Sequence, residues 1–422
     1  MASDKAFYRR TEACRVCGNP ELATILDLGL QCLTGVFPKA GAPQPPAGPL
    51  ELVKCQGPAS KACGLVQLRH TYEASGMYGA NYGYRSGLNR SMVEHLRAKV
   101  KALTARVPVG KGDLVLDIGS NDGTTLSFYP ADGTTLIGID PTAAKFRQYY
   151  PPHVQVVPDF FTADNFRKVA GARRAKVVTS IAMFYDLERP LDFMRDVRDV
   201  LADDGIWHFE QSYLPSMLAA TSYDTICHEH VEYYSLHDIK WMTEKTGLRV
   251  VDVTLNDVNG GSFAVTVAKA KGGEPVPPAV AELLKSEEAA GLGTPEPYKK
   301  FAAATARHRD ELKALLAKLK ASGKKVLGLG ASTKGNVLLQ YCGFGPADLA
   351  CIADVNPDKY GCVTPGTAIP IVSEADARKA RPDVFLVLPW HFRDGLLQRE
   401  ADFVQGGGKL LFPLPRIELV PA

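Results

Sequence analysis

The chain is short of three things. It has no run of about 18 or more uncharged apolar residues, so nothing in it reads as a membrane span. It has no charge excess: 49 Lys and Arg against 46 Asp and Glu leave +3, too balanced for a protein whose business is gripping nucleic acid or an anionic membrane. Its opening, MASDKAFYRR, lacks the apolar core of a secretory leader. With nine cysteines, an odd number, the expectation is a cytoplasmic, reduced protein whose cysteines, if they act, bind metal. What remains is ordinary globular material: 422 residues, 45% hydrophobic and 23% charged. That excludes disorder, collagen and coiled coil, and predicts about three domains at roughly 100–200 residues each.

Five of the nine cysteines fall in the first 63 residues, and four of them form an informative set: Cys14 and Cys17 in CRVCG, then Cys55 and Cys63 before a second glycine. A CxxCG turn aims two thiolates at one tetrahedral ion, because the glycine lets the chain curl around it. The second pair is looser, with seven residues between its cysteines. A ribbon this small, carrying the stretch AGAPQPPAGPL, buries too little surface to hold itself together, which argues for a structural zinc held by Cys14, Cys17, Cys55 and Cys63. Free buried thiols are the alternative. Cys32, Cys342, Cys351 and Cys362 read as small core residues.

Residues 111–140, KGDLVLDIGSNDGTTLSFYPADGTTLIGID, divide into an apolar strand, a glycine turn, a short helix and a second strand ending at Asp140. This is the rhythm of a parallel, doubly wound sheet. A carboxylate about 20 residues beyond the turn is placed to take ribose hydroxyls. The turn itself, Asp117 through Gly119, Ser120, Asn121, Asp122 and Gly123, lacks G-x-G-x-x-G, and its acidic residues would repel a pyrophosphate. A sulfonium cofactor with an amino acid end tolerates them, so S-adenosylmethionine is favoured over NAD. Downstream, Asp159 and Phe160 follow a third strand, where an acid and a ring can address adenine. Tyr185 ends a fourth strand, and a turn at Asp203-Asp204-Gly205 opens a fifth; Phe160 and Tyr185 read equally well as core aromatics.

Residues 223–237 gather three histidines, two glutamates and three tyrosines. General acid/base chemistry needs such titratable groups. His228 and His230 would share one face of a strand but lie far apart around a helix, and HEH is not the HExxH of zinc proteases. An acid/base site, a metal site and a solvated polar segment all stay open.

A Gly- and Pro-rich stretch over 271–300 marks a boundary, and a helix over roughly 300–322 leads into KKVLGLGASTKGN. This is again strand, glycine turn and helix. Asn336 stands where a Walker A loop needs lysine, and Thr333 where a dinucleotide fingerprint needs glycine. What is left is a turn offering amides, hydroxyls and Lys334 at a helix N-terminus, a phosphate-binding arrangement, or a lobe with no ligand. Trp390, His391 and Arg393 after a later strand add an aromatic ring and cations.

With CRVCG, DIGSNDGTTL, CHEHVEYYS and GLGASTKGN in this order, the chain resembles bacterial S-adenosylmethionine-dependent sugar C-methyltransferases, which act on nucleotide-linked 4-keto-deoxyhexoses. The resemblance spans nearly the whole chain. It implies an α/β fold of two doubly wound Rossmann-like lobes preceded by a small zinc-binding domain, divided as 1–74, 75–275 and 276–422. It implies S-adenosylmethionine in the turn Asp117 to Gly123 with Asp140, zinc on the four cysteines, and a small-molecule nucleotide-sugar partner. The family's catalytic histidine is the last residue of HEH, here His230 with Glu229 beside it; His228 is the fallback base. The segment with Tyr82, Tyr84, Arg85 and Asn89 supplies donors for the keto oxygen or phosphates. Thr333, Lys334 and Asn336 take the diphosphate, while Asp354, Asn356 and Lys359 read ribose or base. Two departures, Cys227 for a tyrosine and Asn259 for a histidine before Gly260-Gly261-Ser262, leave the acceptor open: another sugar, or methylation of oxygen or nitrogen on a different metabolite. A zinc-stabilised nucleotide-binding module without turnover is the reading from outside enzymes. A monomer is compatible with all of these.

Overall fold

The computed structural model describes residues 7–421, apart from 59, 74–76 and 78–83. Its architecture is α/β, with a metal-binding ribbon and two doubly wound lobes, as expected.

The ribbon is an antiparallel sheet in the spatial order Glu232–Tyr233, Val66–Leu68, Ala47–Cys55, Leu22–Cys32. Three strands are its own. The edge strand arrives from the histidine segment, more than 160 residues later in the chain. The first part of the proline-rich stretch lies in the long connection between Cys32 and Ala47, where missing N–H groups cost no ladder bond, while Pro49 stands inside the strand Ala47–Cys55, opposite Leu30 beside a register shift.

The central sheet runs in the order Leu248–Asn256, Ser262–Lys269, Leu201–Ser212, Ala175–Ile181, Leu114–Ile118, Thr135–Ile139, Gln155–Val157. Ser262–Lys269 is antiparallel to both its neighbours and the other pairings are parallel. Every residue of Leu114–Ile118 is buried, as a strand covered on both faces requires. Its neighbours in the sheet follow it by crossovers on opposite sides, so its C-terminal end is the topological switch point where ligands of such sheets lie. One reading fails locally: Asp203-Asp204-Gly205 is no connecting turn. The chain stays extended from Leu201 to Ser212 with a register shift between Leu201 and Ile206, and Asp203 and Asp204 point out to Lys269 and Lys176.

The C-terminal sheet has the order Ile371–Ser373, Ile352–Asp354, Val326–Leu329, Val384–Val387, Lys409–Phe412, Glu418–Val420, parallel but for the last strand. The helix before it runs Glu296–Ala321. Among the described residues no helix is long and apolar enough to cross a membrane.

Core packing divides the ribbon between the lobes. Leu26, Leu50, Leu52 and Leu68 pack in one cluster with Phe301, Leu312 and Leu338 of the C-terminal lobe. Cys14, Cys55, Cys63 and Leu65 instead join Phe184, Trp207 and Tyr234 of the central lobe. A ribbon too small for its own core is thus completed from both sides.

Candidate active site

The four ribbon cysteines converge. Cys14 Sγ lies 3.5 Å from Cys63 Sγ, Cys17 Sγ 3.5 Å from Cys55 Sγ, and all four sulfurs fall within 4.8 Å of one another. Tetrahedral zinc with bonds near 2.3 Å sets its sulfurs about 3.8 Å apart. Asn19 Nδ2 donates to Cys55 Sγ at 3.3 Å, as expected around an anionic thiolate. The donor set fits zinc, and four thiolates fill a tetrahedral shell, the closed arrangement of a structural rather than a catalytic ion. Of the cysteines read as core residues, Cys342 and Cys362 are buried, while Cys32 and Cys351 are half-buried.

At the switch point of the central sheet an elongated cleft opens, with Asp117, Gly119, Ser120, Asn121 and Asp140 on its floor and Tyr84 and Phe160 at its rim. Gly119 has φ +70°, and a Cβ there would stand 2.9 Å from Met183, so only glycine lets the turn pass. Asp140 organises that turn: Oδ2 accepts from Asn121 N at 2.8 Å, and Oδ1 from Thr142 N and Oγ1 at 2.6 Å. Burial pushes the Asp117 carboxyl up to about 7, against the hydrogen bond from Thr179 Oγ1 at 2.5 Å.

Other residues singled out beside the cleft face elsewhere. Asp122 accepts from Gly87 N at 2.9 Å and pairs with Arg85 at 3.6 Å, and the Arg85 guanidinium lies 4.0 Å over the Tyr149 ring. Gly123 backs onto the Tyr150 ring. Asp159 accepts from Phe160 N and Asn165 Nδ2, beside the helix Ala163–Ala170. Asn89 caps the helix Arg90–Arg106 through Ser91 N at 3.0 Å. Tyr82 lies outside the described residues.

Between a single 3-10 turn at Tyr223–Thr225 and the strand at Glu232 the histidine segment is neither strand nor helix, and its histidines part company. His228 is fully buried: its ring packs edge-on against Tyr72 at 4.7 Å and its Nε2 is 3.4 Å from Gly48 O, on the ribbon side. His230 turns the other way. Its Nδ1–H donates to Thr225 O at 2.9 Å, and its ring lies 4.2 Å from that of Tyr185. That bond assigns the proton to Nδ1 and leaves Nε2 with the lone pair. Burial, aided by the charge of Lys334, depresses His230 to about 4, so the imidazole is neutral at pH 7. Burial raises the Glu229 carboxyl to about 7, and Gly35 of the ribbon's long loop lies directly against that carboxylate. Of the described groups, the histidines form no metal cluster; the cysteines do.

Three family models match in succession: a zinc binding domain over residues 14–78, a methyltransferase domain over 92–253 and a C-methyltransferase C-terminal domain over 257–415. The C-methyltransferase NovU of Streptomyces niveus is 33% identical across 99% of this chain and 98% of its own length. The chain belongs to this C-methyltransferase family. Its cofactor is S-adenosylmethionine. Among solved structures, the CcbJ methyltransferase of Streptomyces caelestis aligns over 42% of this chain and 90% of its own, at 14% identity and TM-score 0.32. An S-adenosylmethionine-dependent methyltransferase of Clostridium acetobutylicum aligns over 42% and 92%, at 10% identity and TM-score 0.32.

In the C-terminal lobe of this C-methyltransferase the residues read as a phosphate and ribose site are engaged within the protein. Asp354 accepts from Ala331 N at 2.7 Å and Asn356 N at 2.7 Å. Lys359 donates to Ala331 O at 2.7 Å and stands 4.9 Å over the Phe37 ring. Asn336 is fully buried and donates to Thr34 O of the ribbon loop at 2.7 Å. Thr333 opens the helix Thr333–Cys342, whose cap is Ser332. Lys334 reaches across to the central lobe, Nζ to Asn259 O at 2.5 Å. Beside it, Trp390 Nε1 donates to Asp224 Oδ2 at 2.7 Å, a second bond between the lobes.

Sequence reasoning missed Glu210 and Gln211 and noted Asn259 and Ser262 only for a departure from the family's pattern; all four line the cleft. Glu210 holds His95 at 2.6 Å, Lys99 at 2.7 Å and Asn256 at 2.7 Å; burial pulls its carboxyl up, but these partners outweigh that and set it near 2. The signal was present in His95 and Lys99, one helical turn apart opposite a strand-end glutamate.

Proposed function

We propose that this C-methyltransferase methylates carbon 3 of a nucleotide-linked 4-keto-deoxyhexose, with His230 as the base. The observation that carries the reading is the Nδ1–Thr225 bond, which leaves a neutral, half-buried imidazole with its lone pair on Nε2, against Tyr185, whose chain neighbours Asp186 and Leu187 line the cleft. A proton on carbon next to a ketone leaves only when a base is aimed at it and the resulting enolate oxygen is held. His230 Nε2 takes that proton; Lys334, whose charge is felt at His230, supports the developing negative oxygen. The family's cofactor supplies an electrophilic methyl group when bound, and Asp117, Gly119, Asn121, Asp140 and Phe160 are the residues that would hold it. NovU's name supports carbon as the acceptor atom; the two departures at Cys227 and Asn259 bear on which sugar is taken.

His230→Asn keeps a side-chain donor and loses the base. Turnover should fall about 100- to 10,000-fold while S-adenosylhomocysteine binds as in the parent, measured by calorimetry beside a methyl-transfer assay. The parent protein, given a 4-keto-sugar nucleotide in deuterium oxide without cofactor, should exchange the proton at carbon 3. Parent-like turnover in the variant, or no exchange with any 4-keto-sugar nucleotide, would remove the assignment.

A further inference from the structure

The zinc ribbon and the catalytic segment share backbone and buried charge. Glu232 and Tyr233 follow His230 by two and three residues, and they form the edge strand of the ribbon sheet, paired Glu232 to Gln67 and Tyr233 to Val66. Leu68 N donates to Val231 O at 2.9 Å, directly after His230. On the metal side, Arg15 sits between the two cysteines of the first turn. Its amide donates to Gln67 Oε1 at 2.9 Å and its guanidinium to Leu68 O at 2.6 Å and His70 O at 2.9 Å. That guanidinium is also 3.9 Å from the Glu232 carboxylate, with side-chain exposures of 3% and 0%. Glu232's two oxygens find no hydrogen bond among the described residues, so Arg15 is the charged partner that makes its burial tolerable. His228 is tied to the same sheet through Gly48, and its ring packs on Tyr72 of the adjoining two-stranded sheet.

We propose that the zinc ribbon positions the base: the metal fixes Arg15, Arg15 with the strand Val66–Leu68 fixes Glu232–Tyr233, and that docked strand holds His230 in register with Thr225 O. Arg15 and Glu232 are positioning residues and touch no reactant. The proposal rests on His230 being the base, but its test does not need turnover. A ribbon that only stabilised the fold would tie itself to any surface of the lobes; this one takes as its fourth strand the two residues beyond the catalytic loop. Val231 N is meanwhile bonded to Tyr185 O at 2.9 Å, and the Tyr185 ring packs at a tilt against His230, so a strand that undocks releases the imidazole from one side only.

The experiment compares the zinc-loaded protein, the protein after zinc removal by a chelator, and the zinc-loaded double variant Arg15→Met with Glu232→Gln. The variant removes both charges together and leaves neither alone in the interior. Amide hydrogen exchange is read over 228–233 and over the strand Leu114–Ile118, and the ¹⁵N signals of His230 report which ring nitrogen carries the proton. In both perturbed proteins, protection over 228–233 should fall at least about tenfold while Leu114–Ile118 keeps its protection. The His230 signal should pass from the Nδ1–H form to a mixture of tautomers, and S-adenosylhomocysteine affinity should stay as in the parent. Should zinc removal unfold the chain altogether, the double variant, its zinc content verified, decides alone. Unchanged protection and an unchanged Nδ1–H signal in that variant would overturn the proposal. Parent-like turnover in His230→Asn would instead overturn the assignment of the base and leave the exchange result standing.

Discussion

The two lobes build the same device and use it differently. In each, a buried strand ends in a glycine with positive φ: Gly119 at +70° and Gly330 at +81°. Each glycine N–H donates to the strand that follows in sequence, Gly119 to Ile139 O at 2.8 Å and Gly330 to Ala353 O at 2.7 Å. Each turn is capped by an aspartate at the end of that strand, Asp140 or Asp354, which also takes the amide two residues beyond itself. A residue leaving the fourth strand of each lobe lies over the glycine, Met183 after Ala175–Ile181 in one case and Pro389 after Val384–Val387 in the other. Beyond that point they diverge. The central turn opens on a cleft, whereas the ribbon loop docks on the C-terminal one through Thr34 and Asn336, and Lys359 closes over Ala331. A glycine turn with a distant acid therefore marks a switch point, and what is laid across it decides whether a ligand has room.

The sharpest break in that symmetry is expected from the capping aspartates. Asp140→Ala should weaken S-adenosylhomocysteine binding by about 100-fold, since hydrogen bonds to a charged group are worth about 1.5–3 kcal/mol each. Asp354→Ala should lower the melting temperature and leave that affinity as it was. Equal losses of affinity in calorimetry would show that the two turns serve one ligand. A smaller effect is expected where the second lobe reaches the first. Lys334 adds to the burial that depresses His230, so Lys334→Met raises the His230 pKa. A base works deprotonated, so activity is lost as pH falls through that pKa. The acid limb of kcat/KM, near pH 4 in the parent, should move upward by up to about one unit. A limb that stays in place would mean that the C-terminal lobe has no electrostatic hand in the chemistry. The smallest effect concerns the covered turn: Asn336→Ala removes one buried bond to Thr34 and should cost about 1–2 kcal/mol of stability in denaturant titration. UDP affinity should not change; a large loss at unaltered stability would reopen that turn as a nucleotide site.

Local features were legible in the chain. Cys14, Cys17, Cys55 and Cys63 were paired by spacing, because a thiolate knuckle is a local turn. The strands around Gly119 and Gly330 were legible because a parallel strand buried on both faces leaves an unbroken apolar run. Whatever depends on one segment meeting another was not. Asn336 and Asp354 carry the right groups for a ligand, but the partner of Asn336, Thr34, is set by how the ribbon docks on the lobe, and that of Asp354, Ala331, by how its strand lies beside the glycine turn. His228 and His230 are indistinguishable by spacing; only the packing of Tyr72 and the carbonyl of Thr225 separate a core histidine from a candidate base. Asn89 was the avoidable miss, since an asparagine before a helical run is a cap.

The divided core of the ribbon also sets an order of events in folding. Its sheet is short of a strand until residues 232–233 are available, and the apolar side bearing Leu26, Leu50 and Leu52 stays uncovered until Phe301, Leu312 and Leu338 arrive. The segment made first is completed last. The contacts that complete it span long stretches of chain, 302 residues between Thr34 and Asn336, which makes their closure slow. During synthesis the metal, which needs only residues 14 to 63, is the one stabilising partner the ribbon can acquire early.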